Sequence, residues 1–141
     1  LSELPNVHFL GHKPPEIACA YPQHMDVCLL PYQRNDYTKY IYPLKLHEYL
    51  AGGKPIVGTS IRSLLDFAHI IKLAGTYDEW SRAVTEALGS NAVSSDQIQK
   101  RRSIAKQVDW GILVHNIAGS LCDRLGSPCK EQFAAVKTQP F

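Results

Sequence analysis

Residues 39–59, KYIYPLKLHEYLAGGKPIVGT, predict a short helix, a two-glycine stop and a buried strand in one unbroken run. Pro43 suits the first helical position, because its missing N–H costs nothing there and its φ is already helical. Leu46 and Leu50 lie four residues apart and so share the core-facing side of the helix. The pair Gly52–Gly53 predicts a left-handed cap, after which the Pro-Ile-Val-Gly-Thr segment supplies the strand.

The amino end of this predicted helix has no residue that would cap it. Tyr40, Ile41 and Tyr42 precede Pro43, so the amides of Leu44, Lys45 and Leu46 lack a side-chain acceptor. The lysine also places a positive charge where the helix dipole disfavours one. A bound anion, most commonly a phosphate, would complete such a helix end.

Glu48 follows Lys45 by three residues and therefore lies on the same side of the helix. Its carboxylate could accept two hydrogen bonds from a diol such as that of ribose. The alternative is an exposed Lys45–Glu48 ion pair worth about 0.2–0.5 kcal/mol, with water at the helix end. Residue chemistry alone leaves both interpretations open.

A family resemblance favours the first interpretation. Preceded by DVCLLPY, the segment PLKLHEYLAGGKPIVGT resembles the nucleotide-sugar-binding half of GT-B-fold, glycogen-synthase-like retaining glycosyltransferases (group 1), and is most similar to their bacterial surface-polysaccharide branch. That family has two acidic residues separated by seven positions, the second followed by small residues, Gly, Lys or Thr, Pro and a Val-rich strand. Glu48 matches the second acid and Ala51–Pro55 match the small-residue run and the proline after it, whereas Tyr40 occupies the place of the first acid. The resemblance runs from about Asn6 to Thr59.

The resemblance implies transfer of a sugar from a nucleotide-diphosphate donor, of UDP or GDP type, to a glycan or lipid-linked acceptor in surface-polysaccharide synthesis. No cofactor is implied. Glu48 would hold the ribose hydroxyls, and Pro43–Leu46, with the Lys45 ammonium, would hold the diphosphate. Tyr40 would flank the sugar, whose identity stays open, and the backbone of His12 and Lys13 would position the base. Catalytic residues remain unassigned.

The rest of the chain predicts strands alternating with helices. Strands are expected at Val7–Leu10, Asp26–Leu30 and His69–Leu73, and helices at Pro15–Tyr21, Ser60–Phe67, Thr76–Leu88 (with a Thr76/Glu79 capping box), Ser95 or Asp96 to Val108, and Trp110–Leu125. The fold class is α/β: a Rossmann-like parallel sheet with flanking helices and a helical C-terminal part, an incomplete half of a GT-B fold. Ligands on such sheets bind at the carboxyl ends of strands, so Gly11–Lys13, Pro31–Tyr32 and Tyr40–Glu48 should share one crevice.

We expect residues 1–126 to form a partial donor-nucleotide-binding domain and residues 127–141 a loose tail. By the resemblance, two further strands with a glycine-rich turn would lie between the first two predicted strands, so the chain is a fragment that should be inactive alone. The two flanking strands would then pair with each other, or a homodimer would form through the open sheet edges.

Charge, cysteines and hydropathy narrow the function classes. The net charge is +2, and the one basic run, Lys100–Arg102, is predicted to be a solvated helix face, so no nucleic-acid partner is expected. The four cysteines show no C-x-x-C and the six histidines no ligand spacing, so neither a metal site nor a disulfide framework is predicted. Without a membrane-length apolar run or a signal peptide, we expect a cytoplasmic protein that can act at the inner membrane face. Trp80 and Trp110 are predicted core anchors, and His47 is predicted to be exposed.

Two other functions stay open at this stage. A non-catalytic flavodoxin-like binding or regulatory module would leave Lys45 and Glu48 as an exposed pair, but Asp26 begins its strand instead of ending it as a phosphorylatable aspartate would. A sugar-nucleotide epimerase of related fold needs an acid or base in the crevice, and only His12 offers one.

Overall fold

The computed structural model describes residues 1–126 and 128–131. Its strands are β1 (Cys28–Leu30), β2 (Ile56–Thr59) and β3 (Lys72–Ala74). Its helices are α1 (Pro15–Ala18), α2 (Leu44–Ala51), α3 (Arg62–Leu65), α4 (Tyr77–Ala87), α5 (Ser95–Gln107) and α6 (Trp110–Leu125), with 3₁₀ turns at Tyr21–His24 and Ser90–Val93.

The strands form one parallel sheet in the order β1-β2-β3. Successive side chains of β2 pack into two different hydrophobic cores, because they point to opposite faces of the sheet. Ile56 packs with Leu46, Leu50 and other side chains of β1, α2 and α3, whereas Val57 packs with side chains of β3 and α4. The α/β prediction is therefore confirmed, as a three-stranded parallel sheet flanked by helices that corresponds to a partial Rossmann-like fold.

The junction between α2 and α5 depends on a buried arginine. Gly53 has φ 71° and its amide bonds the Leu50 carbonyl at 2.9 Å, which completes the predicted left-handed cap. Arg101, only 3% exposed, donates from Nη1 to the Gly53 carbonyl at 2.6 Å and from Nη2 to the Ala92 carbonyl. The prediction that Lys100–Arg102 is a solvated face is thus wrong for its central residue.

Two strand predictions are wrong, in whole or in part. Residues 7–10 form no strand: Phe9 is 70% exposed, and no neighbouring strand among the described residues supplies the ladder hydrogen bonds that an extended segment needs. The third strand begins at Lys72 and not at His69, because the amides of Ile70 and Ile71 both donate to the Phe67 carbonyl and prolong the preceding turn.

Several helix ends also differ from prediction. The first helix ends at Ala18 and not at Tyr21, and Pro22 is a buried residue within the 3₁₀ turn that follows. Ile61, and not Ser60, precedes α3, and the Ser94 hydroxyl caps α5 by accepting from the Gln97 amide. The bounds of α6 are confirmed, but Trp110 is 71% exposed and therefore anchors no core.

Trp80 packs against the second core and is confirmed as an anchor. Of the predicted tail, residue 127 and residues 132–141 lie outside the described residues, whereas residues 128–131 form a helical turn.

The predicted capping box at the start of α4 is confirmed and gives a pH-dependent prediction. The Glu79 carboxylate accepts from the amides of Gly75 (2.7 Å) and Thr76 (3.1 Å), and these bonds hold its pKa below the ordinary 4.5. A lowered folded-state pKa stabilises the protein above pH 4.5, and this contribution is lost as the pH falls through the lowered value. In thermal melts, Glu79→Gln should therefore be destabilised at neutral pH and approach wild type in acid. Thr76→Ala, the control, should lose about 1 kcal/mol across the range.

Candidate nucleotide-binding site

The amino end of α2 is open, as the sequence predicts. Pro43 stands at the N-cap (φ −74°, ψ 103°) and not inside the helix, and no side chain of the described residues caps this end. The Leu46 amide donates to the Pro43 carbonyl at 3.0 Å, so it is not free for the diphosphate contact that the resemblance implies. The amides of Leu44 and Lys45 have no hydrogen-bond partner among residues 1–126 and 128–131, so two donors remain for a ligand.

A cavity of about 530 Å³ lies beside this helix end. We call it the β1 cavity, because it runs along β1 and the segment before it. The prediction had placed the site at the carboxyl ends of the strands. The site residues His12, Lys13, Lys45 and Glu48 line it together with Leu10, Gly11, Ala18, Tyr21, Pro22, Met25, Val27, Cys28, Leu29 and Tyr49. Two predicted site segments that are distant in sequence, His12–Lys13 and Lys45–Glu48, therefore meet at one cavity.

Lys45 and Glu48 do not pair with each other. Neither side chain makes an ion pair or a hydrogen bond to any part of the chain that the structure describes. The exposed Lys45–Glu48 pair considered from the sequence is thus not formed. Both charges remain available to a ligand in the β1 cavity.

Tyr40 and Pro31–Tyr32 do not line this cavity. The loop before Tyr40 is closed by Thr38, whose hydroxyl donates to the Gln33 carbonyl at 2.6 Å and accepts from the Asn35 amide at 3.0 Å. Tyr40 is 80% exposed, with the Lys39 ammonium 5.6 Å above its ring. Gly11–Lys13 and α2 therefore share one cavity, as predicted, whereas Pro31, Tyr32 and Tyr40 lie outside it.

Sequence reasoning missed a Tyr–His contact on the other side of α2. The Tyr42 hydroxyl lies 2.6 Å from His47 Nε2, the two rings stack, and Phe67 meets the imidazole edge-on. Burial lowers the pKa of His47 and raises that of Tyr42, which the nearby Asp66 raises further. The prediction that His47 is exposed is wrong, since this contact partly buries it. The sequence pattern did not indicate the contact, because its partner lies five residues earlier, before the helix begins.

This contact borders a second cavity, of about 950 Å³, between α2, α5 and the start of α6. Its lining is largely apolar, with Leu44, Val108, Trp110 and Leu113 among its residues. Glu48 lines both cavities and so stands between them.

Within the described residues, no cluster of three or more His, Cys, Asp or Glu side chains could hold a metal ion. A search of the same residues finds no helix long and apolar enough to cross a membrane.

Comparison with known proteins shows that this chain is similar in sequence to a protein named as a glycosyltransferase. A curated relative is the Bacillus subtilis (strain 168) protein named "Putative teichuronic acid biosynthesis glycosyltransferase TuaH", which is 32% identical over 121 residues, or 83% of this chain. The match spans only 30% of that relative's length. No protein-family model matches the chain, and no solved structure gives a significant match.

Proposed function

We propose that this chain is the donor-binding part of a GT-B-fold retaining glycosyltransferase of group 1, which uses a UDP- or GDP-sugar to build a bacterial surface polysaccharide. One observation carries the proposal: Lys45 and Glu48, unpaired within the described residues, line the same cavity at a helix end with two free amides. The similarity to a relative named as a teichuronic acid biosynthesis glycosyltransferase supports the reaction class.

Each group has a distinct role in this proposal. The diphosphate lies at the amides of Leu44 and Lys45, where the helix dipole and the lysine ammonium both favour negative charge. Glu48, one turn further along, accepts hydrogen bonds from the ribose hydroxyls. The base lies in the same cavity beside the backbone of His12 and Lys13. Tyr40 lies outside the cavity, and we assign it no part in holding the nucleotide.

Donor binding alone does not complete a glycosyltransferase. The acceptor and the groups that orient it must come from polypeptide beyond this chain, which matches 30% of its relative. We therefore expect the isolated chain to bind nucleotide weakly and to transfer no sugar.

Calorimetric titration with UDP, GDP and ADP tests the proposal. One nucleotide should bind, and Glu48→Ala should weaken it at least about tenfold, because a hydrogen bond to a charged group contributes about 1.5–3 kcal/mol. Lys45→Ala should weaken the diphosphate but not the corresponding nucleoside, whereas Glu48→Ala should weaken both. This difference separates a phosphate contact from a ribose contact.

Glu86→Ala is the matched control. It removes an exposed glutamate that pairs with Lys72 on the surface, away from the β1 cavity, and should leave affinity unchanged. The proposed site would be contradicted if the folded protein bound no nucleotide, or if neither Lys45→Ala nor Glu48→Ala changed the affinity. The rival binding module predicted a formed Lys45–Glu48 pair, which the described structure does not contain.

A further inference from the structure

The first turn of α2 is held by an aromatic contact. Tyr42 is the residue before the N-cap, Pro43, and His47 is the fourth residue of the helix. Their rings stack with centroids 5.4 Å apart, and the Tyr42 hydroxyl lies 2.6 Å from His47 Nε2. Apolar side chains at these two positions form a hydrophobic staple, a contact that fixes the angle at which the chain enters a helix. We call this contact the Tyr42–His47 staple.

The Tyr42–His47 staple is attached to the hydrophobic core. The ring of Phe67, which lies just after α3, meets the His47 imidazole edge-on with the centroids 5.7 Å apart. Phe67 in turn packs against the core that contains Leu46 and Leu50. Ring contacts on two sides of His47 therefore set the direction in which the chain enters α2.

A staple of this kind leaves free the donors that an ordinary cap would occupy. A Ser, Thr, Asp or Asn at the N-cap would accept a hydrogen bond from the amide of the second or third helical residue. Pro43 has no side-chain acceptor, and the amides of Leu44 and Lys45 have no partner in residues 1–126 and 128–131. The start of α2 is thus held in place while two of its amides stay available to an anion.

We propose that Tyr42 and His47 are positioning residues for the diphosphate of the donor, an inference that rests on the proposed function. The staple holds the amino end of α2 in the orientation that directs the amides of Leu44 and Lys45 at the diphosphate. Neither Tyr42 nor His47 lines the β1 cavity, so both act through the helix and not by contact with the nucleotide.

The surroundings of His47 fit this role better than proton transfer. Its Nε2 is engaged by Tyr42, and its Nδ1 is buried without a hydrogen-bond partner among the described residues. A charged imidazole would therefore bury an N–H that has no acceptor, which agrees with the lowering of the pKa of His47 by burial. At neutral pH the imidazole is uncharged and contributes as an aromatic ring.

Calorimetric titration of Tyr42→Ala, which removes both the ring and the hydroxyl, tests the proposal. The ligands are UDP, GDP and ADP and the nucleosides uridine, guanosine and adenosine. The diphosphate that wild type binds should bind the variant about two- to tenfold more weakly, which corresponds to the contribution of one aromatic pair. The matching nucleoside should bind as before, because Glu48 and the backbone of His12 and Lys13 hold it. Circular dichroism checks that the variant is folded.

Three further variants separate positioning from general packing. Tyr42→Phe keeps the ring stack and should retain diphosphate affinity within about twofold of wild type. His47→Ala should weaken the diphosphate to a similar extent as Tyr42→Ala, and the double variant should lose little more than either alone, since both break one contact. Tyr37→Ala is the matched control: it removes a tyrosine that is 77% exposed in the loop before α2 and should change neither affinity.

The outcomes distinguish this role from the proposed function. If Tyr42→Ala kept its diphosphate affinity, or lost nucleoside affinity to the same degree, the positioning role would be overturned and the donor site would stand. A Tyr42→Phe variant as weak as Tyr42→Ala would overturn the role of the ring stack. A folded wild type that bound no nucleotide would overturn both proposals.

Discussion

Arg101→Met is expected to lower the free energy of unfolding by about 2–5 kcal/mol, because it removes the donors of two carbonyls, one buried at Gly53 and one partly buried at Ala92. Nη1 and Nη2 of this arginine bond Gly53 and Ala92, and the side chain is almost fully buried. Methionine fills a similar length without donating. Urea titration gives the change in the free energy of unfolding directly.

Arg102→Met is the control, since it changes the same residue type one position along α5 on an exposed side chain. Its cost should stay within about 0.5 kcal/mol. If both variants lost the same stability, the effect would come from α5 in general and not from the two carbonyl bonds.

Gly53→Ala is expected to lower the free energy of unfolding by about 2–4 kcal/mol, the sum of backbone strain and a steric clash. Its φ of 71° disfavours any L side chain by about 1–2 kcal/mol. An added Cβ would also lie 2.8 Å from Ile98 Cγ2, too close for van der Waals contact, so α5 would have to shift. Urea titration again measures the loss.

The neighbouring glycine supplies the contrast. Gly52 has φ −65°, and an added Cβ would meet its nearest atom at 3.5 Å. Gly52→Ala should therefore be neutral or stabilise the protein by about 0.5 kcal/mol, since alanine restricts the unfolded chain. A large loss at Gly52, or none at Gly53, would contradict this account of the helix cap.

The stability losses of Arg101→Met and Gly53→Ala should not be additive. Gly53 and Arg101 share one hydrogen bond, so the double variant should lose less stability than the two single losses combined. Because α2 carries Lys45 and Glu48, loosening its packing on α5 should also weaken nucleotide binding.

Local patterns predicted the elements whose causes lie close together in sequence. The α2 helix, the Gly53 cap, β2 and the α4 capping box all arise from residues within a few positions of one another. The alternation of strands and helices was enough to predict the parallel α/β sheet.

The failures share a non-local cause. Arg101 bonds the carbonyl of Gly53, 48 residues earlier, and that of Ala92 in the turn before α5. The periodicity of α5 alone could not predict these bonds. Residues 7–10 have strand-like composition, but a strand also needs a neighbour, which composition does not specify. Trp110 has the composition of a core residue, but its side chain is 71% exposed at the edge of the second cavity.

The candidate site was predictable only in part. The open amino end of α2 follows directly from the residues before Pro43, and so does the proximity of Lys45 and Glu48. The Tyr42–His47 contact and the outward position of Tyr40 depend on how the loop and α3 pack, which the local sequence does not encode.

The parallel register of the sheet also has a consequence for the order of folding. No hairpin joins the strands of the described structure, so pairing of Cys28 with Ile56 and of Val57 with Lys72 requires closure of loops that contain whole helices. Such long-range closures slow folding, because their entropy is lost before the contacts form. On the ribosome, α2 and β2 emerge long before α5 delivers Arg101. The Gly53 cap, although its own residues specify it, therefore gains its bond to Arg101 only after α5 has been synthesised.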